Sequence, residues 1–279
     1  MRPAAAAASR RRPQVPSALL PRRRFSSTAG CTVGPAAVVQ GAAGGIGRQV
    51  VKKLFERGVA TVVGADLRLA DSATLAELCE LWELEQHPGR TFIELSEPGE
   101  TPDEQAAFTV STEALRTVVA GLGTDGISAC ICIGGGNPPG VHNTQDPSPA
   151  SLPMATYNAQ FAFNFGASAL TVSACIDALI AARGSVVLTS SVNGILGIGE
   201  AGYSVSKAAM HPYVHNLASH YGPQGVNANA VALGTVGPTG PWVEALKVRV
   251  LTNSILHVCF QADVEAAETV GLPRLDLKS

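Results

Sequence analysis

Pro35-Ala36-Ala37-Val38-Val39-Gln40-Gly41-Ala42-Ala43-Gly44-Gly45-Ile46-Gly47 decides the reading of this chain. A short apolar run ends in a glycine-rich turn, and Arg48-Gln49-Val50-Val51-Lys52-Lys53-Leu54-Phe55 continues at helical period. The pattern is strand, turn, helix. Without side chains at Gly41, Gly45 and Gly47 the backbone can turn tightly and approach a phosphate, and the helix N-terminus favours its charge. Gly44 and Ile46 complete the loop. Its spacing is G-x-x-x-G-x-G, and a glycine turn alone is a weak signal.

Downstream the rhythm repeats. Gly58 stops the helix, Val59 to Ala65 reads as a second strand, and Asp66 stands at its carboxyl end, nineteen residues beyond Gly47. An acid there can accept both ribose hydroxyls of an adenosine and repels a 2′-phosphate, so NAD is expected and NADP is less favoured. Arg68 is the countervailing feature, since a cation two residues on can serve a 2′-phosphate. Ala70 to Glu85, with leucines at 75, 78, 81 and 84, reads as an amphipathic helix ended by His87-Pro88-Gly89. A third strand, Thr91 to Leu95, places Glu94 and Leu95 where an adenine would lie. A helix is expected from Asp103 to about Gly121.

Ile127 to Ile133 is the fourth strand and opens into Gly134-Gly135-Gly136-Asn137-Pro138-Pro139-Gly140. Gly134 and Gly135 allow close approach of a ligand at a strand end. Met154 to Ala182 is a long, nearly uncharged helical stretch containing Asn164, suited to the interior or to a subunit interface. Ser185 to Leu188 is the fifth strand, followed by Thr189-Ser190-Ser191. Gly194 to Gly202 is a glycine-rich loop, Tyr203 to Tyr221 a helix in which Pro212 should kink or loosen a turn, and Val226 to Ala232 the sixth strand. Strands and helices alternating in this way predict an α/β fold, a Rossmann-type doubly wound parallel sheet in a single domain.

On a helix, Tyr203 and Lys207 are four apart and share a face, so an ammonium can sit beside a phenol and favour its ionised form. Such pairs are also common as solvated neighbours. An unperturbed tyrosine, with a pKa of ~10, is a poor base at neutral pH, so proton transfer from an alcohol needs that cation.

Composition bounds the alternatives. The 279 residues are 46% hydrophobic and 15% charged with net charge −2, which suits buried parallel strands and argues against nucleic acid as the main partner. No unbroken run reaches the ~18 apolar residues of a membrane span. The six cysteines, Cys31, Cys79, Cys130, Cys132, Cys175 and Cys259, form no C-x-x-C and read as structural thiols; no metal site is expected. The start is different. Arg2, Arg10, Arg11, Arg12, Arg22, Arg23 and Arg24 precede the first acid, Glu56, among alanines, serines and prolines. Residues 1–25 read as an organellar transit peptide, with the mitochondrial matrix expected and a plastid the alternative.

Jointly, Gly41 to Gly47, Asp66, Asn164, Ser191-Val192-Asn193-Gly194, Tyr203-Ser204-Val205-Ser206-Lys207 and Val226 to Val231 resemble the short-chain dehydrogenase/reductase family. The resemblance covers a catalytic domain of residues 33–240. It implies Tyr203 as acid/base, Lys207 as its partner and ribose ligand, Ser191 as the group that hydrogen-bonds the substrate oxygen, and Asn164 as the holder of a water in a proton relay. It also implies Gly234 and Val236 beside the nicotinamide, a small alcohol or carbonyl substrate, and a homo-dimer or homo-tetramer. The expected reaction is NAD(H)-dependent interconversion of a secondary alcohol and a ketone, possible substrates including 3-oxoacyl and 3-hydroxyacyl compounds; the alternative is a non-catalytic nucleotide-binding or scaffold protein on the same fold. Three departures stand out. Cys132-Ile133-Gly134-Gly135 replaces the family's Asn-Asn-Ala-Gly, so an amide that ties strands together is missing; Leu233-Gly234 replaces Pro-Gly; and residues 241–279 form a divergent or truncated C-terminal end.

Overall fold

The structure is a computed structural model, and it describes residues 36–123, 126–141 and 149–234. The proposed transit peptide, the C-terminal segment, Cys31, Cys259 and Val236 lie outside the described residues.

Six short apolar strands form one parallel sheet: β1 (Ala36–Gln40), β2 (Thr61–Ala65), β3 (Thr91–Leu95), β4 (Ala129–Cys132), β5 (Ser185–Ser191) and β6 (Asn227–Leu233). Their order is β3-β2-β1-β4-β5-β6. That is the doubly wound order, in which the strand sequence reverses direction between β1 and β4 and leaves a crevice at their carboxyl ends. Register fixes which side chains meet there. Gln40 lies opposite Ala65 on one side and Cys132 on the other, and Ser191 lies opposite Leu233.

Side chains alternate along each strand, so each face of the sheet carries its own core. Ala37, Val39, Ile131 and Val187 pack under α1 (Gly45–Glu56) and α2 (Ser72–Leu81). Ala36, Val38, Cys130 and Val186 pack under the helices of the opposite face. β4 thus buries both Cys130 and Cys132, as expected of structural thiols.

Several element boundaries differ from the sequence expectation. The helix expected over 70–85 is α2, which stops at Leu81 because Trp82 turns inward: its Nε1 donates to the Arg48 carbonyl (2.8 Å) and its ring lies 4.4 Å from Phe92. The helix expected from Asp103 to Gly121 is two helices, α3 (Pro102–Ala106) and α4 (Thr112–Gly121). Thr101 and Glu104 form a capping box at the start of α3, and Ser111 caps α4. A turn at Phe108 (φ 47°) separates them.

Met154–Ala182 is one 29-residue helix, composed of α5 (Met154–Phe161), a π turn at Ala162–Gly166 and α6 (Ala167–Ala182). With a mean hydropathy of 1.7 in its most apolar window it is long and apolar enough, by length and composition, to cross a membrane. No unbroken apolar run is present, as expected: alanines, serines and amides interrupt the stretch without lowering its average. In this fold the helix packs Val172, Cys175 and Leu179 into the core.

The stretch expected as loop between Ser191 and Tyr203 contains a short helix, α7 (Val192–Leu196), capped by Ser191. The helix expected over 203–221 is α8 (Ala201–Ala208) and α9 (Met210–Tyr221), parted at Ala209. Pro212 has no N–H for the Ala208 carbonyl four residues back, so the break falls where the proline loosens the ladder.

Candidate active site

The first half of the site is built on the turn after β1. Gly41 N donates to the Ala65 carbonyl (2.9 Å) and its φ is 82°, a conformation glycine adopts without strain. A Cβ there would lie 2.7 Å from Gly134 N, and one on Gly47 would lie 2.0 Å from the Gly41 carbonyl oxygen, so the turn, the helix and the loop after β4 are in contact through bare backbone. Gly44 precedes α1 in extended conformation with no side-chain cap, and no acid stands in the first turn. The first N–H groups of a helix lack intrahelical acceptors, so Gly45, Ile46 and Gly47 present donors and the positive end of the dipole toward the crevice. Backbone of this kind fits a pyrophosphate.

Asp66 sits at the carboxyl end of β2, buried, where the sequence placed it. Its Oδ2 accepts from Ala43 N (3.1 Å) and Arg68 Nη2 (2.7 Å), and its Oδ1 accepts from Arg68 N (3.0 Å) and Nε (3.0 Å). Donating its side-chain N–H groups to the Asp66 carboxylate raises the Arg68 guanidinium above its ordinary pKa, against the opposing effect of partial burial. Arg68 Nη2 also lies 3.3 Å from where a Cβ on Gly44 would stand, so the cation hangs over the glycine loop. At the end of β3, Leu95 is buried and its carbonyl accepts from Asp66 N (3.1 Å), whereas Glu94 is exposed and bonded to the Ser96 hydroxyl.

The second half gathers at β4, β5 and α8. Tyr203 stands in the first turn of α8 and Lys207 one turn later, with Lys207 Nζ 5.9 Å from the centroid of the Tyr203 ring. Lys207 is 2% exposed, and its Nζ donates to the Thr189 carbonyl (3.0 Å). Burial lowers its pKa from 10.5 to about 8, because the charged form loses its hydration. Gly135 explains how the loop after β4 fits here. Its φ is 151°, and a Cβ would lie 2.7 Å from both Asn164 Oδ1 and Lys207 Nζ. Asn164, fully buried in the π turn, is engaged on all sides: Oδ1 accepts from Gly136 N (2.8 Å), and Nδ2 donates to the Gly136 and Gln160 carbonyls and to Gln160 Oε1. Ser191 Oγ accepts from Asn193 N (3.2 Å) and donates to the Leu233 carbonyl (3.4 Å), at the end of β5. Gly234 follows β6 and is exposed.

Four further side chains hold this constellation. Gln40, at the end of β1, accepts from Gly134 N through Oε1 (2.9 Å), so the tie between β1 and the loop after β4 that the altered motif had removed is made from the other strand. A polar residue closing an apolar run was its sequence signal. Gln160 is fully buried beside Asn164, four residues earlier on the same face. Ser190 points to the opposite side of β5 from Ser191, as alternation requires, where Oγ donates to the Lys207 carbonyl (2.9 Å) and contacts His211 Nε2 (2.8 Å). These contacts join elements remote in sequence, which is why a linear reading passed over them.

Comparison with protein families matches residues 106–246, about half of the chain, to the family described as short chain dehydrogenase. The human (Homo sapiens) (3R)-3-hydroxyacyl-CoA dehydrogenase is 29% identical over 208 residues, covering 72% of each chain. Protein MoaE of Klebsiella aerogenes is 38% identical, but over 74 residues, 26% of this chain and 29% of that protein. Among solved structures, an NADH-dependent reductase A1-R′ complexed with NAD superposes with a TM-score of 0.61 at 21% identity, covering 82% of this chain and 90% of the other. A short chain dehydrogenase of Escherichia coli CFT073 complexed with NADPH gives 0.63 at 17% identity, covering 83% and 93%. At such identities the structural likeness speaks for the fold. Family match, strand order and fold agree: the chain belongs to the short-chain dehydrogenase family.

Proposed function

We propose that the chain is an NAD(H)-dependent oxidoreductase interconverting a secondary alcohol and a ketone, of 3-oxoacyl or 3-hydroxyacyl type, with Tyr203 as the acid/base. The observation that carries this reading is the buried cation of Lys207, set beneath the Tyr203 ring and against Asn164 and Gly135. A buried ammonium with no carboxylate partner among the described residues is costly, and such a group is a functional-site candidate. The acyl substrate class rests on similarity to the human 3-hydroxyacyl-CoA dehydrogenase.

In the reducing direction Tyr203 Oη gives its proton to the substrate oxygen as the carbonyl carbon gains hydride; in the oxidising direction it takes that proton back. Lys207 stabilises the phenolate, and Ser191 Oγ orients the substrate oxygen. The nicotinamide supplies or accepts the hydride when bound. Gly41, Gly44, Gly45, Ile46 and Gly47 would hold its pyrophosphate, Asp66 its adenosine ribose, Glu94 and Leu95 the adenine side, and Gly134, Gly135, Lys207 and Tyr203 the second ribose. Gly234 and Val236 would meet the carboxamide.

NAD is favoured over NADP because Asp66 is buried at the ribose end and repels a 2′-phosphate. Arg68 opposes that preference. Its fork fills the Asp66 carboxylate, so ribose hydroxyls reach Asp66 only when the arginine swings aside.

The test uses the full chain, titrated with NADH and NADPH and then assayed with acetoacetyl-CoA and a panel of ketones. NADH should bind more tightly, and Tyr203→Phe should lower turnover by at least ~10²-fold, the lower range for a general acid/base. Tighter NADPH binding would reassign ribose recognition from Asp66 to Arg68, and equal rates in the two proteins would remove Tyr203 from the mechanism.

The arginine-rich residues 1–25 support delivery to the mitochondrial matrix, with a plastid as the alternative. A fluorescent-protein fusion of the whole chain, compared with one lacking those residues, decides it; identical cytosolic distributions would sink the proposal.

A further inference from the structure

We propose that Gln160 and Glu200 are positioning residues that fix the orientation of the Asn164 amide and tie it to the helix carrying Tyr203. The inference rests on Asn164, Tyr203 and Lys207 forming the proton-transfer set.

Gln160 is a fully buried amide, the buried residue of α5, whose other polar side chains, Thr156 and Asn158, are not buried. Its Nε2 donates to Asn137 Oδ1 (3.0 Å) and to Glu200 Oε1 (3.2 Å), and its Oε1 accepts from Asn164 Nδ2 (2.8 Å). It therefore joins three segments: the loop after β4, the π turn, and the residue that immediately precedes α8. Glu200 is three residues before Tyr203.

The direction of the chain of bonds follows from chemistry. A carboxylate only accepts, so Glu200 obliges Gln160 to offer it an N–H. Gln160 Nε2 has two hydrogens, and Glu200 and Asn137 take both. Gln160 must then present its carbonyl oxygen to Asn164, and Asn164 must answer with Nδ2. The Asn164 oxygen is left facing the Gly136 N–H and the Gly135–Lys207 side of the site, where donors converge. Reversing the Asn164 amide would set oxygen against oxygen at Gln160 and N–H against N–H at Gly136, leaving buried groups unpaired. The charge at Glu200 and the backbone of Gly136 thus set the same polarity from opposite ends.

Three variants of the full chain separate this role from bulk stability. Glu200→Gln can still accept from Gln160 and should keep kcat within about 2-fold of the parent. Glu200→Lys offers only donors, opposes the polarity, and should lower kcat roughly 10- to 100-fold with KM for NADH unchanged, the loss a small misplacement of a catalytic group brings. Gln160→Leu keeps similar bulk but breaks the chain and should match Glu200→Lys. Acetoacetyl-CoA reduction gives kcat. Independently of any turnover, slowed hydrogen exchange of the 15N-labelled Asn164 side-chain amide should persist in Glu200→Gln and be lost in Glu200→Lys. Parent-like kcat in both Glu200→Lys and Gln160→Leu overturns the proposal. An inactive parent points to failure of the functional reading instead, and the exchange measurement then decides: unchanged Asn164 protection in Glu200→Lys overturns the positioning role as well.

Discussion

Lys207 bears a large electrostatic cost within the site. At 2% exposure its ammonium gives up hydration for a bond to the Thr189 carbonyl, and its pKa falls from 10.5 to about 8. Between those two pH values the unfolded chain binds more protons than the folded one at this position. Stability therefore rises with pH through the window, by up to about 3 kcal/mol from this group. Lys207→Met lacks the contribution: calorimetry should find the variant more stable than the parent at pH 7, with the gap closing by pH 10. Parallel melting curves would show that Lys207 is not held in this way. The same titration bears on catalysis. If the cation supports the Tyr203 phenolate, kcat/KM should decline above about pH 8.

Glu104 is the comparable case among the elements, with the sign reversed. Its carboxylate accepts from Thr112 and Thr101 backbone N–H groups (2.7 and 3.0 Å) and so joins the start of α3 to the start of α4. Hydrogen bonds from the Thr112 side chain and backbone lower its pKa from 4.5 to about 2. That contribution is complete above about pH 4.5 and is lost as pH falls toward about 2. Glu104→Gln keeps one accepting oxygen where two are used, and should cost about 1.5–3 kcal/mol at pH 7, typical of a hydrogen bond to a charged group. Urea denaturation at pH 7 and pH 3 checks the sign: the difference between variant and parent should shrink in acid. The split of the expected 103–121 helix has its cause here, because a carboxylate reaching forward to Thr112 holds a turn where helical period alone predicted continuity.

For the whole molecule, the apolar residues left outside the core point to assembly. Met154 (68% exposed), Phe161 (41%) and Val205 (55%) line a shallow cavity of about 300 Å³ across α5 and α8, with Tyr157 beside them. Contiguous exposed apolar surface of this kind marks an interaction site. We propose a homo-dimer or homo-tetramer through this face, in keeping with the expectation from the apolar stretch 154–182. Val205→Glu should shift the light-scattering mass to that of the monomer, and a parent that is itself monomeric would refute the interface. The α8 helix carries both Val205 and Tyr203, so dimer loss should also lower turnover.

The sequence by itself determined the strand-turn-helix at 35–55, the α/β rhythm of a doubly wound parallel sheet and the resemblance to the family. All of these are written in local period, in glycines where a Cβ cannot fit, and in the joint spacing of Asn164, Ser191, Tyr203 and Lys207. It also located the break near Pro212, because a missing N–H is a property of one residue. Only the tertiary structure decided that Gln40 makes the tie lost from β4, that Arg68 covers Asp66, that Ser190 faces away from Ser191 toward Lys207 and His211, and that Gln160 links Asn164 to Glu200. Apart from Arg68, which reaches back two residues to Asp66, each of these is a hydrogen bond whose partner is chosen by strand register or helix packing. Residues 40 and 134, or 160 and 200, have no periodic relation in the chain, and the fold brings them within 3.2 Å.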